Sequence, residues 1–196
     1  MSETSPLACF NHFEKPSKPG TVGQPIFGVD VKCFDENDRE VPRGTRGEVV
    51  IRGSNVMKGY YKRPEATAEA FKNGWFHSGD IGVMDDEGYL SIVDRKKDMI
   101  LRGGYNIYPR ELEEVMMTHR DVSLVAVIAV PDERLGEEVK AVVVPKPDAE
   151  LTEENFIEWC KTQFAANKYP RYVEFRKQLP IGGTGKILKR ALREEG

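Results

Sequence analysis

Phe27, Val29, Val31 and Cys33 alternate with small or polar neighbours at a period of two, which marks a strand with one buried face. The string Asp35-Glu36-Asn37-Asp38 after it predicts a turn. Residues 47–52 read as a short apolar strand. Residues 75–84 and 89–93 read as two more, joined by the turn-forming Asp85-Asp86-Glu87-Gly88. Between them, Pro64 opens Pro-Glu-Ala-Thr-Ala-Glu-Ala-Phe, a helix whose proline fits its first turn.

Near residue 97 the pattern changes to mixed α and β. Pro109 and the acidic residues after it predict a helix start, with Leu112, Val115 and Met116 on one face. Residues 122–130 and 139–144 are nearly continuous apolar runs, which predict buried strands. Thr152 suits the N-cap of a helix that buries Phe156, Trp159, Cys160 and Phe164. Pro170 stops whatever follows Lys168, and a last helix is expected from about Lys186, with Leu188, Ala191 and Leu192 inward. The fold class is therefore α+β. Residues 1–96 form a mainly antiparallel β subdomain with one helix, and residues 97–196 a small α+β domain with about three helices.

Composition narrows the function. The 29 Lys+Arg and 32 Asp+Glu nearly cancel, so no global basic excess points to nucleic acid. No run of about 18 apolar residues predicts a membrane span, and residues 1–10 lack a signal-peptide pattern. Cys9, Cys33 and Cys160 are odd in number and far apart, which predicts a reducing cytoplasm rather than a disulfide framework or zinc site. Charge is nonetheless local: residues 132–158 carry nine acidic and three basic residues, and residues 168–196 eight basic and three acidic.

Familiar catalytic patterns fail on inspection. Gly182-Gly183-Thr184-Gly185-Lys186 resembles a phosphate loop, but Pro180 and Ile187 break the required spacing. His77, Ser78 and Asp80 are sequence neighbours, whereas triad members converge from separate elements. His12, His77 and His119 lack metal-ligand spacing. What remains is a set of unusual loops. Trp75-Phe76-His77-Ser78-Gly79-Asp80-Ile81-Gly82 sets a carboxylate between glycines, and its two acceptor oxygens match the two donors of a vicinal diol. Asp94-Arg95-Lys96-Lys97-Asp98 crowds five charges at the change of pattern. Arg102-Gly103-Gly104-Tyr105-Asn106-Ile107-Tyr108-Pro109 leads paired glycines into a helix start. Residues 179–187 form a mobile glycine loop presenting Lys186. Taken alone, the Asp80, glycine-pair and Lys186 segments are better explained by a surface turn, a turn into a helix and a helix start, and the charged string suits a solvated linker as well as a switch between two domains.

Together, in this order, these segments resemble the acyl-adenylate-forming superfamily, which includes acyl-CoA synthetases, firefly luciferase and peptide-synthetase adenylation domains. The likeness is strongest to fatty acid–CoA ligases. It also rests on Gly47-Glu48-Val49-Val50-Ile51-Arg52-Gly53, on Gly59-Tyr60-Tyr61 and on Pro109-Arg110-Glu111-Leu112-Glu113, and covers essentially the whole chain. The resemblance implies ATP-dependent activation of a carboxylic acid to an acyl-adenylate, then transfer to CoA, with residues 97–196 as a rotating lid. It implies that Asp80 holds the ribose hydroxyls with Arg95 beside it, that Lys97 is the hinge, and that Lys186 bridges the acid and the α-phosphate. It places Gly103, Gly104 and Tyr105 at the CoA tunnel.

Met1-Ser2-Glu3-Thr4-Ser5-Pro6 resembles the end of the family's Tyr-Gly-x-Thr-Glu-Thr motif. That match makes Ser2 a phosphate-contacting hydroxyl and Glu3 a ligand of Mg2+ in the complete protein. On this reading the phosphate loop, adenine pocket and acyl pocket lie upstream, in an N-terminal part of the same protein. The 196-residue chain alone is then expected to be inactive and to self-associate through surface that lacks its cover. Medium- or long-chain fatty acids are the favoured substrates. A free-standing lid-like regulatory module, and an adenylating enzyme with another acceptor, are the alternatives.

Overall fold

The computed structural model describes every residue except Lys15, Thr184 and Gly196. Its fold is mixed α+β and divides into two compact units, Met1–Lys97 and Asp98–Gly196.

In the first unit a 3-10 turn, Ser2–Thr4, precedes β1 (Cys9–Phe10), which pairs with β2 (Gln24–Pro25). The main sheet holds β3 (Val29–Phe34), β4 (Arg46–Gly53), β5 (Phe71–Lys72), β6 (Trp75–Met84) and β7 (Leu90–Arg95), with α1 (Pro64–Ala70) before β5. Its order is β3-β4-β6, with β5 pairing the start of β6 and β7 its end, all antiparallel. The alternation on β3 buries Val29, Val31 and Cys33 as the period requires. Phe27 is a correction: it lies outside the strand and is fully exposed, because Gly28 takes a φ of +76° that breaks the extended run. Val29, Val31, Cys33, Val49, Ile51 and Phe76 form the centre of the core.

The second unit opens with the hairpin of β8 (Ile100–Arg102) and β9 (Tyr105–Ile107), followed by α2 (Pro109–Met116). Long β10 (Val122–Asp132) and β11 (Gly136–Pro145) pair antiparallel. α3 (Glu153–Gln163), β12 (Tyr172–Phe175) and α4 (Lys189–Glu194) follow. The sheet order is β10-β11-β8-β9, with β12 parallel to β11.

The continuous apolar runs of β10 and β11 reflect burial on both faces. On one, Val125, Val127, Val139 and Ala141 pack with Leu112, Met116, Phe156 and Cys160 of the helices. On the other, Ala126, Ile128 and Val142 pack with Leu179 and Leu192. Thr152 caps α3 as expected, accepting from the Asn155 N–H while the Asn155 side chain accepts from the Thr152 N–H. The last helix starts at Lys189 rather than Lys186. Ile187 bridges Ile181 and the Leu188 N–H donates to Pro180 O, so residues 187 and 188 serve a hairpin and Leu188 is exposed.

Candidate active site

Asp80 owes its position to a mismatch between strands. His77 pairs with Val50 and Ile81 with Glu48, so Ser78, Gly79 and Asp80 stand opposite Val49 alone. This bulge places a left-handed residue, Gly79 at φ +70°, just before Asp80. The Asp80 N–H donates to Ser78 Oγ at 3.1 Å, and the Gly79 N–H donates to Glu48 Oε1 at 3.3 Å. Across β7, Asp80 pairs in register with Arg95, and Arg95 Nε stands 3.1 Å from Asp80 Oδ1. The two sequence-predicted residues therefore meet as a partly exposed ion pair.

Ser2 and Glu3 lie in the N-terminal 3-10 turn. Ser2 is exposed. Glu3 is half-buried: its carbonyl accepts from the Met57 N–H at 2.8 Å, and its Oε1 accepts from the Tyr60 hydroxyl at 3.2 Å. Burial and the Glu3 carboxylate push the Tyr60 phenol up. A cleft of about 300 Å³ joins this segment to the bulge, lined by Met1, Thr4, Leu7 and Cys9 together with Ser78 and Asp80. Its walls are largely apolar, and the Asp80 carboxylate is the charged side chain in its lining. No group of three or more His, Cys, Asp or Glu that could hold a metal occurs among the described residues. A single carboxylate such as Glu3 still suits Mg2+, which takes one or two protein oxygens and completes its shell with phosphates and water.

In the second unit, Gly103 and Gly104 are the two-residue turn between β8 and β9. Both have positive φ, +56° and +82°, which is what a tight hairpin of this hand demands. Tyr105 beside them is exposed. Lys186 ends a small hairpin in which Ile181 bridges Ile187 and the Gly182 N–H donates to Lys186 O at 2.8 Å. The expected mobile loop is thus closed by hydrogen bonds; Thr184 lies outside the described residues. The glycine turn belongs to the β9 edge of the sheet, whereas α4, which follows Lys186, packs on β10 at the opposite edge. Lys97 is the last residue of the first unit.

Two family models match the chain: the AMP-binding enzyme over residues 1–61 and the AMP-binding enzyme C-terminal domain over residues 111–186, together more than half its length. The chain belongs to the AMP-binding enzyme family. A long-chain-fatty-acid–CoA ligase of Escherichia coli O6:H1 is 48% identical over 195 residues, covering all of this chain and 35% of that protein. A feruloyl-CoA synthase of an Amycolatopsis species is 45% identical, covering 98% of this chain and 40% of that protein. The ATP-bound crystal structure of MatB from Rhodopseudomonas palustris superposes with a TM-score of 0.93 at 38% identity, covering all of this chain and 39% of that one. The chain spans about a third of the length of the curated relatives it matches.

Within this AMP-binding enzyme chain, the residue whose part sequence reasoning missed is Glu48. Nearly buried, it receives Lys96 Nζ at 2.8 Å and stands 3.1 Å from His77 Nδ1, besides holding the Gly79 N–H. It supports the bulge under Asp80 and anchors the residue next to Arg95. The one available signal was its place in the Gly47–Gly53 string; its contacts lie 29 to 48 residues away. Burial raises the Glu48 pKa, but the hydrogen bonds from Lys96 and His77 outweigh it, and the carboxyl titrates below its ordinary range. Its folded pKa being lowered, Glu48 stabilises the fold fully above about pH 4.3, and the contribution disappears as pH falls through the folded value. Glu48→Gln is therefore expected to be the less stable protein at pH 7, with the gap narrowing as pH drops below about 4.3. Urea midpoints measured across this range check it, and a gap of constant size refutes it.

Proposed function

We propose that this chain is the distal β subdomain (1–96) and the lid (97–196) of an AMP-forming acid–CoA ligase acting on a medium- or long-chain fatty acid. The observation that carries the reading is the Asp80–Arg95 pair, whose carboxylate sits in a bulge and lines a largely apolar cleft. A carboxylate there accepts both hydroxyls of a ribose, with the guanidinium alongside it.

Ser2 contacts phosphate, and Glu3 offers one oxygen to the Mg2+ that accompanies ATP. Lys186 stands between the substrate carboxylate and the α-phosphate while the carboxylate oxygen attacks phosphorus and pyrophosphate leaves. The CoA sulfur then attacks the acyl carbon and AMP leaves, with Gly103, Gly104 and Tyr105 beside the thiol. Lys97 is the pivot between these steps. That the glycine turn lies at the β9 edge, while the helix following Lys186 packs on β10 at the other edge, supports a lid that presents one feature at a time.

The acyl and triphosphate pockets belong to the part of the relatives that this chain does not span. Phe13 and Phe27 are both exposed, and apolar surface of this kind favours self-association of the chain on its own. The three free thiols suit a reducing cytoplasm.

The test is acid-dependent ATP–pyrophosphate exchange, followed by CoA thioester formation, in the complete protein that carries these residues. A panel runs from octanoate and palmitate to ferulate. Exchange with fatty acids and thioester release are expected, and the 196 residues alone are expected to give neither. A preference for ferulate replaces the fatty acid, exchange without thioester replaces the acceptor, and no exchange with any acid sinks the reading.

A further inference from the structure

A six-residue helix has no stability of its own in water, yet α4 directly follows the hairpin that carries Lys186. Tertiary anchors must hold it, and three stand out. Leu192 is buried under β10. Lys189 Nζ lies 2.7 Å from Glu113 Oε1 of α2, an oxygen that also accepts from the Val127 N–H at 2.7 Å. Arg193 Nη2 lies 2.8 Å from Asp98 Oδ1, with the two side chains 28% and 14% exposed. That last contact joins residues 95 apart in sequence. Asp98 is the first residue of the second unit, adjacent to Lys97.

We propose that the Asp98–Arg193 pair is a strut that fixes the Lys186 hairpin relative to the pivot, making both positioning residues for adenylation. The inference rests on the ligase reading and adds to it. Rotation about Lys97 delivers the lysine ammonium to the carboxylate–phosphate junction only if nothing yields between pivot and hairpin. A displacement of about 1 Å at a reacting centre costs on the order of 100-fold in rate. The strut ends seven residues beyond Lys186, and the contact that makes it is between Asp98 and Arg193, outside the glycine turn and β8. Its loss therefore bears on one half-reaction and leaves the other.

Two measurements test it. In the complete protein, Asp98→Asn and Arg193→Met are expected to slow pyrophosphate exchange by about 10-fold or more with the KM for ATP unchanged. Thiolysis of supplied acyl-adenylate by CoA stays within about two-fold. Arg193→Lys restores most of the exchange, and the double variant is no slower than Arg193→Met alone. In the 196-residue chain, either variant raises amide hydrogen exchange at Leu188, Ala191 and Leu192 but not at residues 125–128. Equal loss in both half-reactions, or unchanged amide exchange around α4, overturns the strut. Absence of exchange in the unsubstituted protein defeats the ligase reading instead, and the amide measurement then decides the strut by itself.

Discussion

Replacing Lys186 with methionine is expected to slow acid-dependent pyrophosphate exchange in the complete protein by about two orders of magnitude, while thiolysis of supplied acyl-adenylate changes little. The reason is electrostatic. Adenylation brings a carboxylate oxygen onto a phosphorus that already carries negative oxygens. A cation placed where charge develops is worth on the order of 3 kcal/mol, which is roughly 100-fold in rate. Once the acyl-adenylate exists that junction is gone, so the same ammonium contributes nothing to attack by sulfur. Methionine keeps most of the stem and removes the charge. Lys186 is exposed, and the hairpin is closed by its backbone carbonyl rather than its side chain, so folding is not at risk. Arginine at the same position keeps the charge but replaces a compact point cation with a planar fork, and only partial activity is expected. A loss of the same size in both half-reactions would show that shape, not charge, is what position 186 supplies.

The features read correctly from sequence are those set by neighbours in the chain. The period of two in β3, the Thr152 cap of α3 and the doubly buried β10 and β11 all depend on a few consecutive residues. At Gly103 and Gly104 the sequence announced a glycine turn before a helix but not the hairpin, in which both residues take positive φ. What stayed hidden depends on register between distant strands. The bulge at Ser78, Gly79 and Asp80 exists only because β4 offers a single residue opposite it, and no local spacing on β6 announces this. Glu48 fills that gap from another strand. β1, β2, β5, β8, β9 and β12 run two to four residues, too short for a periodic signal. The start of α4 was misplaced because its apolar pattern continues into residues that a bridge at Ile181 and Ile187 claims for a hairpin.

The largest stability effect is expected at Arg102 and Glu138. Arg102 Nε lies 2.8 Å from Glu138 Oε1, and both side chains are 4% exposed. Arg102 Nη1 also donates to Asn167 O at 2.8 Å, and the Val139 N–H donates to Glu138 Oε1 at 2.7 Å. Arg171 Nε approaches Glu138 Oε2 at 4.0 Å. Removing one member of such a pair strands the other charge away from water, at a cost of about 3–5 kcal/mol. Arg102→Met is therefore expected to lower the chain's unfolding free energy by up to about that much, less the part that Arg171, already 4.0 Å from Glu138, makes good. Converting both to methionine should recover most of the loss, because a well-packed apolar pair avoids the desolvation that the ions incur. Guanidinium denaturation of the two single variants and the double variant measures the coupling directly. The pair also has a structural consequence that a stability measurement alone misses. Arg102 immediately precedes the Gly103–Gly104 turn, and its guanidinium ties β8 to the backbone at Asn167 while its partner sits on β11. The double variant, stable but without that tie, is expected to show faster amide exchange at Gly103, whose N–H donates to Leu135 O at 2.9 Å, than the unsubstituted chain. If the single variants lose less than about 1 kcal/mol, water reaches the pair and the burial argument fails.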